Sequence, residues 1–356
     1  MPVILFTLAC TAADGPTGRS DEAGGFRVAL LTAGPVSDAG WNAGAYEGLL
    51  MLQDSLGAEI SHQQTRAPSE YDEAFLAYGS QGFDIVFAHG FEFQDAALRA
   101  AESFPQTTFV VSGGGRVARN LVPIVFGLNE GAYLAGIVAG ALSVSGTVGM
   151  VGGVEIPPVQ GTFRAFEAGA RRSSPDIRIL ESFTGNWDDV AAAKEAAVAQ
   201  LSQGADVVIH NVDAASFGVF QAVREARAAG REIWALGMNR DQNDVAPDVI
   251  VGSAVISAPG VFLRAAKMIH DREIESLPDG GSLADPPPLV FTAGIANGLI
   301  DFVANPALDV IPDAAEQAVR EARRSIIAGE LEVPAIRYVE GIGDVIEDGE
   351  DEEGSS

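Results

Sequence analysis

The side chains here that could do chemistry are aromatic rings, amides and scattered carboxylates, and they recur just after short apolar runs. Asp38, Trp41 and Asn42 follow the run 26–32, and His89, Gly90 and Phe91 follow 83–88. Asn211 and Asp213 follow 205–210, Asn239 and Asp241 follow 232–237, and Trp187 follows 177–183. Ser112 closes the run 107–112, and Phe163 lies near the start of the periodic stretch 160–173. Flat rings with a polar rim suit an uncharged heteroaromatic or sugar-like ligand. Phosphate recognition would call for Arg, Lys or a glycine nest, and the lysines are Lys194 and Lys267 alone. Two of these residues have an equally good structural reading: Asp38 as the cap of a following helix, and His89 as a satisfied buried histidine.

Motifs for bond chemistry are missing. The sequence has no HExxH, GxSxG or GxxxxGK[ST], and no GxGxxG after a first strand; Gly113-Gly114-Gly115 reads as a turn. Asp188 and Asp189 are adjacent, so a helix would not place them on one face. The single cysteine, Cys10, excludes a disulfide framework and a multi-thiolate metal site. The expectation is a binding protein with no catalytic residues, metal or cofactor. An enzyme, or a ligand sensor, is the alternative.

The elements that must position these residues come in two similar sets. SQGFDIVFAHG at 80–90 is echoed by SQGADVVIHNV at 202–212, and Tyr46-Glu47-Gly48 by Phe166-Glu167-Ala168. The first half reads as strand 26–32, helix 41–56, strand 58–62, helix 70–80, strand 83–88, helix 93–103 and strand 107–112. The second repeats that order: strand 147–152, helix 160–173, strand 177–183, helix 187–203, strand 205–210, helix 215–229 and strand 232–237. Apolar runs without strict alternation suit strands buried on both faces, and their alternation with helices predicts parallel sheets. Two similar sheets imply two lobes, and ligands gather at the carboxyl ends of such strands, here in the cleft between the lobes.

Composition agrees. The chain has 356 residues, 47% hydrophobic, with 41 Gly, which is globular α/β material of about two domains. A formal charge of −27 argues against a nucleic-acid partner. Residues 131–154 carry no charge, but they contain seven Gly and change from helical to strand pattern, so they predict a buried helix and strand rather than a membrane span. The start, MPVILFTLAC, resembles the tail of a bacterial lipoprotein signal with Cys10 as the lipidated residue; an apolar terminus with an incidental cysteine is the alternative. The end, EDGEDEEGSS, reads as a solvated tail.

Five segments, in order, carry a family resemblance: Ser37–Gly48, Gly82–Phe91, Asn129–Gly136, Val148–Gly153 and Asn239–Gln242. Together they make the chain similar to the basic membrane protein (BMP) family of substrate-binding lipoproteins, extracytoplasmic receptors of ABC importers. The resemblance implies the type I periplasmic-binding-protein fold, an α/β architecture of two doubly wound parallel-sheet lobes joined by a three-stranded hinge. It divides the chain into a tether at 1–25, a first lobe of 26–126 plus about 255–290, a second lobe of 127–254 plus about 291–340, and a tail at 341–356. It also implies a monomer in the periplasm or at the cell surface, lipid-anchored through Cys10, which hands a small molecule to a membrane permease. Asp38, Trp41 and Asn42 match the family's first ligand loop, Gly90 and Phe91 its second, and Asp241 its second aspartate. Asn239 and Ser112 stand where nucleoside-binding members carry aspartates, and Asn211-Val212-Asp213 replaces a glycine-rich turn. The implied ligand is a purine nucleoside or a free purine base.

Overall fold

The computed structural model describes residues 25–275 and 289–339. Cys10 and the tail 341–356 lie outside the described residues, as does all of the tether except Gly25.

The first half builds β1 (Arg27–Thr32), α1 (Trp41–Leu56), β2 (Glu59–Gln64), α2 (Pro68–Ser80), β3 (Ile85–His89), α3 (Gln94–Ser103), β4 (Thr108–Ser112) and β5 (Leu121–Phe126). The second builds α4 (Leu128–Leu142), β6 (Thr147–Gly152), α5 (Pro157–Ser173), β7 (Arg178–Phe183), α6 (Val190–Ser202), β8 (Val207–Asn211), α7 (Ser216–Ala228), β9 (Trp234–Asn239) and β10 (Ile250–Ile256). The chain then adds α8 (Ala258–Glu275), β11 (Phe291–Ala293), β12 (Ile300–Ala304) and α9 (Asp313–Ile327).

Two six-stranded sheets result, ordered β11-β5-β4-β3-β1-β2 and β12-β10-β9-β8-β6-β7. The duplication seen in the sequence is thus a duplication of strand order. All pairs are parallel except β10 with β12. The central strands β3, β6, β8 and β9 are buried along their whole length, which is why their sequences are apolar without alternation. The edges β2 and β7 are partly exposed and carry the polar residues. In each sheet the order reverses beside the first strand, between β1 and β3 and between β6 and β8, where a doubly wound sheet opens its ligand crevice.

Three crossings join the lobes: Phe126–Leu128, Ile256–Ala258, and the link from β11 to β12. They are tied to one another, with the Gly127 amide donating to the Ala293 carbonyl at 2.7 Å and the Ser257 amide to the Leu299 carbonyl at 2.9 Å. Helix α8 packs on the first lobe, its Phe262 ring stacked on Phe87 at 4.4 Å. One boundary differs from the sequence reading, which gives 291 onward to the second lobe. Because β11 pairs with β5, the first lobe runs on to Ala293; a three-residue strand is too short to show a pattern of its own. Helix α6 also starts later than expected, at Val190. The Asn186 side chain accepts from the amides of Asp188 (2.7 Å) and Asp189 (2.8 Å), and Asp189 then caps the helix on Ala192, leaving Trp187 in the loop.

The uncharged stretch 131–154 is helix α4 followed by β6. Among the described residues no helix is long and apolar enough to cross a membrane. Its glycines have a packing reason, since α4 and α5 approach backbone to backbone. A Cβ on Gly136 would collide with the Phe166 carbonyl, one on Gly140 with that of Ala170, and one on Gly169 with that of Tyr133. Gly136→Ala is therefore expected to destabilise the protein by about 1–3 kcal/mol despite alanine's better helix propensity. Gly44→Ala in α1, whose Cβ would meet only the Ala258 methyl at 3.4 Å, should be neutral or stabilising. Urea unfolding midpoints of the two variants check the contrast.

Candidate functional site

A cavity opens between the lobes at the carboxyl ends of both sets of strands. The first lobe contributes Trp41, Gly90, Phe91, Glu92, Gly113 and Phe126. The second contributes Thr162, Trp187, Asn211, Asp213 and Asn239 beside an apolar floor around Ile156 and Val159. Tyr338 completes the wall from the segment after α9.

The first wall starts from one buried carboxylate. Asp38 is fully buried, and its oxygens accept from the amides of Gly40 (3.0 Å), Asn42 (2.8 Å) and Ala43 (2.9 Å) and from the Asn42 side chain (2.9 Å). This is the capping reading of Asp38, and it starts α1 with Trp41 at its first residue. The Trp41 ring lies on the His89 imidazole, 3.8 Å between centroids and 25° between planes, and edge-on to Phe126 at 5.4 Å. With His89 against one face, the other indole face is left for the cavity. His89 itself is a support behind the wall. Burial lowers its pKa to about 3, so the ring is neutral. Its Nε2 lies 3.1 Å from the Trp41 carbonyl, which only accepts, so Nε2 carries the hydrogen.

Several expected residues sit one position away from the wall. Ser112 is buried, its hydroxyl without a hydrogen-bond partner among the described residues, and Gly113 beside it faces the cavity. Phe163 is buried against Phe183 at 5.5 Å, and its neighbour Thr162 lines the cleft, accepting from the Asn211 amide nitrogen at 3.0 Å. That bond uses one N–H of the side-chain amide, orients it, and leaves the side-chain carbonyl oxygen of Asn211 as an acceptor. Asp241 is exposed, holds the Asn243 amide at 3.0 Å and does not line the cavity. The strand-end residue Asn239 lines it instead, with a left-handed φ of 70° that asparagine tolerates better than most. Asn42 does not line the cavity. Its side-chain nitrogen reaches across the lobes to Asp213 at 3.4 Å.

Two further bridges tie the lobes. The Gln242 side chain donates to the Ala39 carbonyl at 3.3 Å, and Arg240 pairs with Glu47 at 2.5 Å. The ion pair is half exposed and contributes little, below about 1 kcal/mol.

Carboxylates dominate the electrostatics. Burial pushes the Asp213 carboxyl well above the usual range, and the nearby charges of Asp38, Glu92 and Asp188 push the same way. Glu92 is raised by burial, and Asp188 by burial and then by Asp38. Arg66 is a cation at the mouth, in an adjoining hollow that Asp188 also lines. Such a cleft repels phosphate and offers acceptors to hydroxyl and amine donors. Glu92, Phe126 and Thr162 were not singled out from the sequence, although Phe126 ends a strand and Glu92 follows Phe91 in the same loop. Nothing in the sequence marked Tyr338.

A carboxyl whose native pKa is raised destabilises the folded state when ionised, and that cost fades as pH falls through the raised pKa. Asp213→Asn should therefore melt higher than the parent at pH 8, and the gap should narrow with acidification. Thermal melts across the pH series check this.

Residues 26–337 match the family described as ABC transporter substrate-binding protein, PnrA-like. The chain is 27% identical to the ABC transporter nucleoside-binding protein BmpA of Lactococcus lactis subsp. cremoris, over 87% of this chain and 89% of that one. It is 26% identical to basic membrane protein A2 of Borrelia garinii subsp. bavariensis, over 88% and 89%. In structure it resembles an ABC transporter solute-binding protein from Aeropyrum pernix, with a TM-score of 0.75 at 20% identity, covering 88% of this chain and 93% of that one.

Proposed function

The chain belongs to the PnrA-like family of ABC transporter substrate-binding proteins, and from that premise we propose that it is an extracytoplasmic receptor for a purine nucleoside or purine base. The receptor closes its lobes around the ligand and presents it to the permease of an ABC importer. The observation that carries this reading is the make-up of the cleft wall. The rings of Trp41, Phe91 and Trp187 supply flat apolar faces, and Asp213, Glu92 and the Asn211 carbonyl oxygen supply acceptors. A heterocycle stacks on the first set, and sugar hydroxyls or exocyclic amines donate to the second. The name of the Lactococcus relative, a nucleoside-binding protein, supports the same ligand class.

Closure favours whichever state the ligand contacts better, so residues from both lobes must touch it. Asp38, Asn42 and His89 act from behind the wall, holding Trp41 and reaching Asp213. The nucleoside leaves unchanged, because the cleft binds without breaking bonds. Membrane attachment through a lipid on Cys10, and action as a monomer, complete the proposal.

A binding screen tests it. Purine nucleosides or bases should raise the melting temperature of the purified protein, since a ligand that binds only the native state stabilises it by mass action. Trp41→Ala should weaken the calorimetric affinity by about 1–3 kcal/mol through lost stacking. Nucleoside recovered after incubation should be chemically intact by chromatography. No shift with any purine, or unaltered affinity in the Trp41 variant, contradicts the proposal.

A further inference from the structure

We propose that Tyr338 is part of the ligand site, carried there by a clasp of residues 331–339 that starts in the second lobe and ends against the first. The inference rests on the receptor reading above and deepens it.

Helix α9 packs in the second lobe, and the chain after it turns at Gly329 with a left-handed φ of 69°. Val333 is buried in the core, and the Asn129 side chain of α4 donates to the Pro334 carbonyl at 3.0 Å. The Ile336 amide then passes so close to α5 that a Cβ on Gly161 would stand 3.3 Å from it. Two residues later the chain meets the first lobe, where a Cβ on Gly115 would collide with the Tyr338 carbonyl. The last glycine of the run 113–115 thus leaves room for the clasp, while Gly113 faces the cavity. The Tyr338 ring stands edge-on to Phe91, 6.1 Å between centroids and 70° between planes.

Its hydroxyl is what points to a ligand. It is buried and has no hydrogen-bond partner among the described residues, although Tyr338 lines the cleft. A desolvated, unpaired hydroxyl is costly, and a ligand group that meets it removes the cost. Burial also pushes its ionisation upward, so it remains a phenol able to donate. In a wall otherwise rich in carboxylate acceptors, it supplies a donor for a ring nitrogen or carbonyl of a heterocyclic ligand.

The test uses the full chain, with the compound from a panel of nucleosides, bases, sugars and amino acids that most raises its melting temperature. Tyr338→Phe should weaken binding about 3- to 10-fold, the scale of one hydrogen bond. Tyr338→Ala and Gly115→Ala should each weaken it about 10-fold or more, through lost ring contact as well. Gly115→Ala keeps the tyrosine side chain itself intact and displaces the clasp that carries it. It should also speed hydrogen exchange at the amides of 335–339 without any ligand. Wild-type affinity in all three variants overturns the proposal, and so does free-peptide exchange at 335–339 in the parent. If the best compound is not a purine, the ligand assignment falls while Tyr338 is judged on that compound. If nothing binds, the exchange data decide.

Discussion

The cleft depends on one buried carboxylate. By collecting three backbone amides and one side-chain amide, Asp38 sets the residue at which α1 begins. Trp41 is that residue, so the cap also sets where the indole stands, and the neutral His89 ring then fixes its tilt. Asn42, bonded to the same carboxylate, carries the order across to Asp213 in the other lobe. A structural cap and a ligand wall are thus one unit, with the polar atoms of the cap kept away from the cavity.

The second lobe answers with charge rather than rings alone. Burial raises the carboxyls of Asp213 and Asp188 there and of Glu92 across the cleft, the charges of Asp38, Glu92 and Asp188 push Asp213 further the same way, and Arg66 is a cation lining the adjoining hollow beside them. A site that holds carboxylates under strain gains when donors arrive, so hydroxyls and amines are favoured and phosphates are turned away. The lobes already touch through Gln242, Arg240 and Asn42. A ligand need add only the contacts inside the cleft to hold the closed arrangement.

The fold was largely legible in the sequence because buried parallel strands leave long apolar runs, and because the two halves repeat them in one order. Helix 41–56 and strand 147–152 stand where the pattern put them. Trp41, Gly90, Phe91, Trp187, Asn211, Asp213 and Asn239 line the cavity as the sequence suggested, while other candidates fall a residue or two from it. Sequence shows that a residue follows a strand, but not which side of the backbone faces the cleft. A shift of one position exchanges Ser112 for Gly113 and Phe163 for Thr162, and of the expected pair Asn239 and Asp241 the strand-end residue alone lines the cavity. Features that depend on distant segments left no local mark. The β11 strand exists only through its pairing with β5, and Tyr338 reaches the cleft from beyond the repeated region.

The central claim is that a purine lies between the lobes against the Trp41 ring. The most direct measurement is a crystal structure of the protein grown with a purine nucleoside at saturating concentration. The account predicts density for the base stacked on the exposed indole face, with donors turned toward Asp213 and Glu92. A nucleoside bound elsewhere on the protein, with the cleft unoccupied, would contradict it.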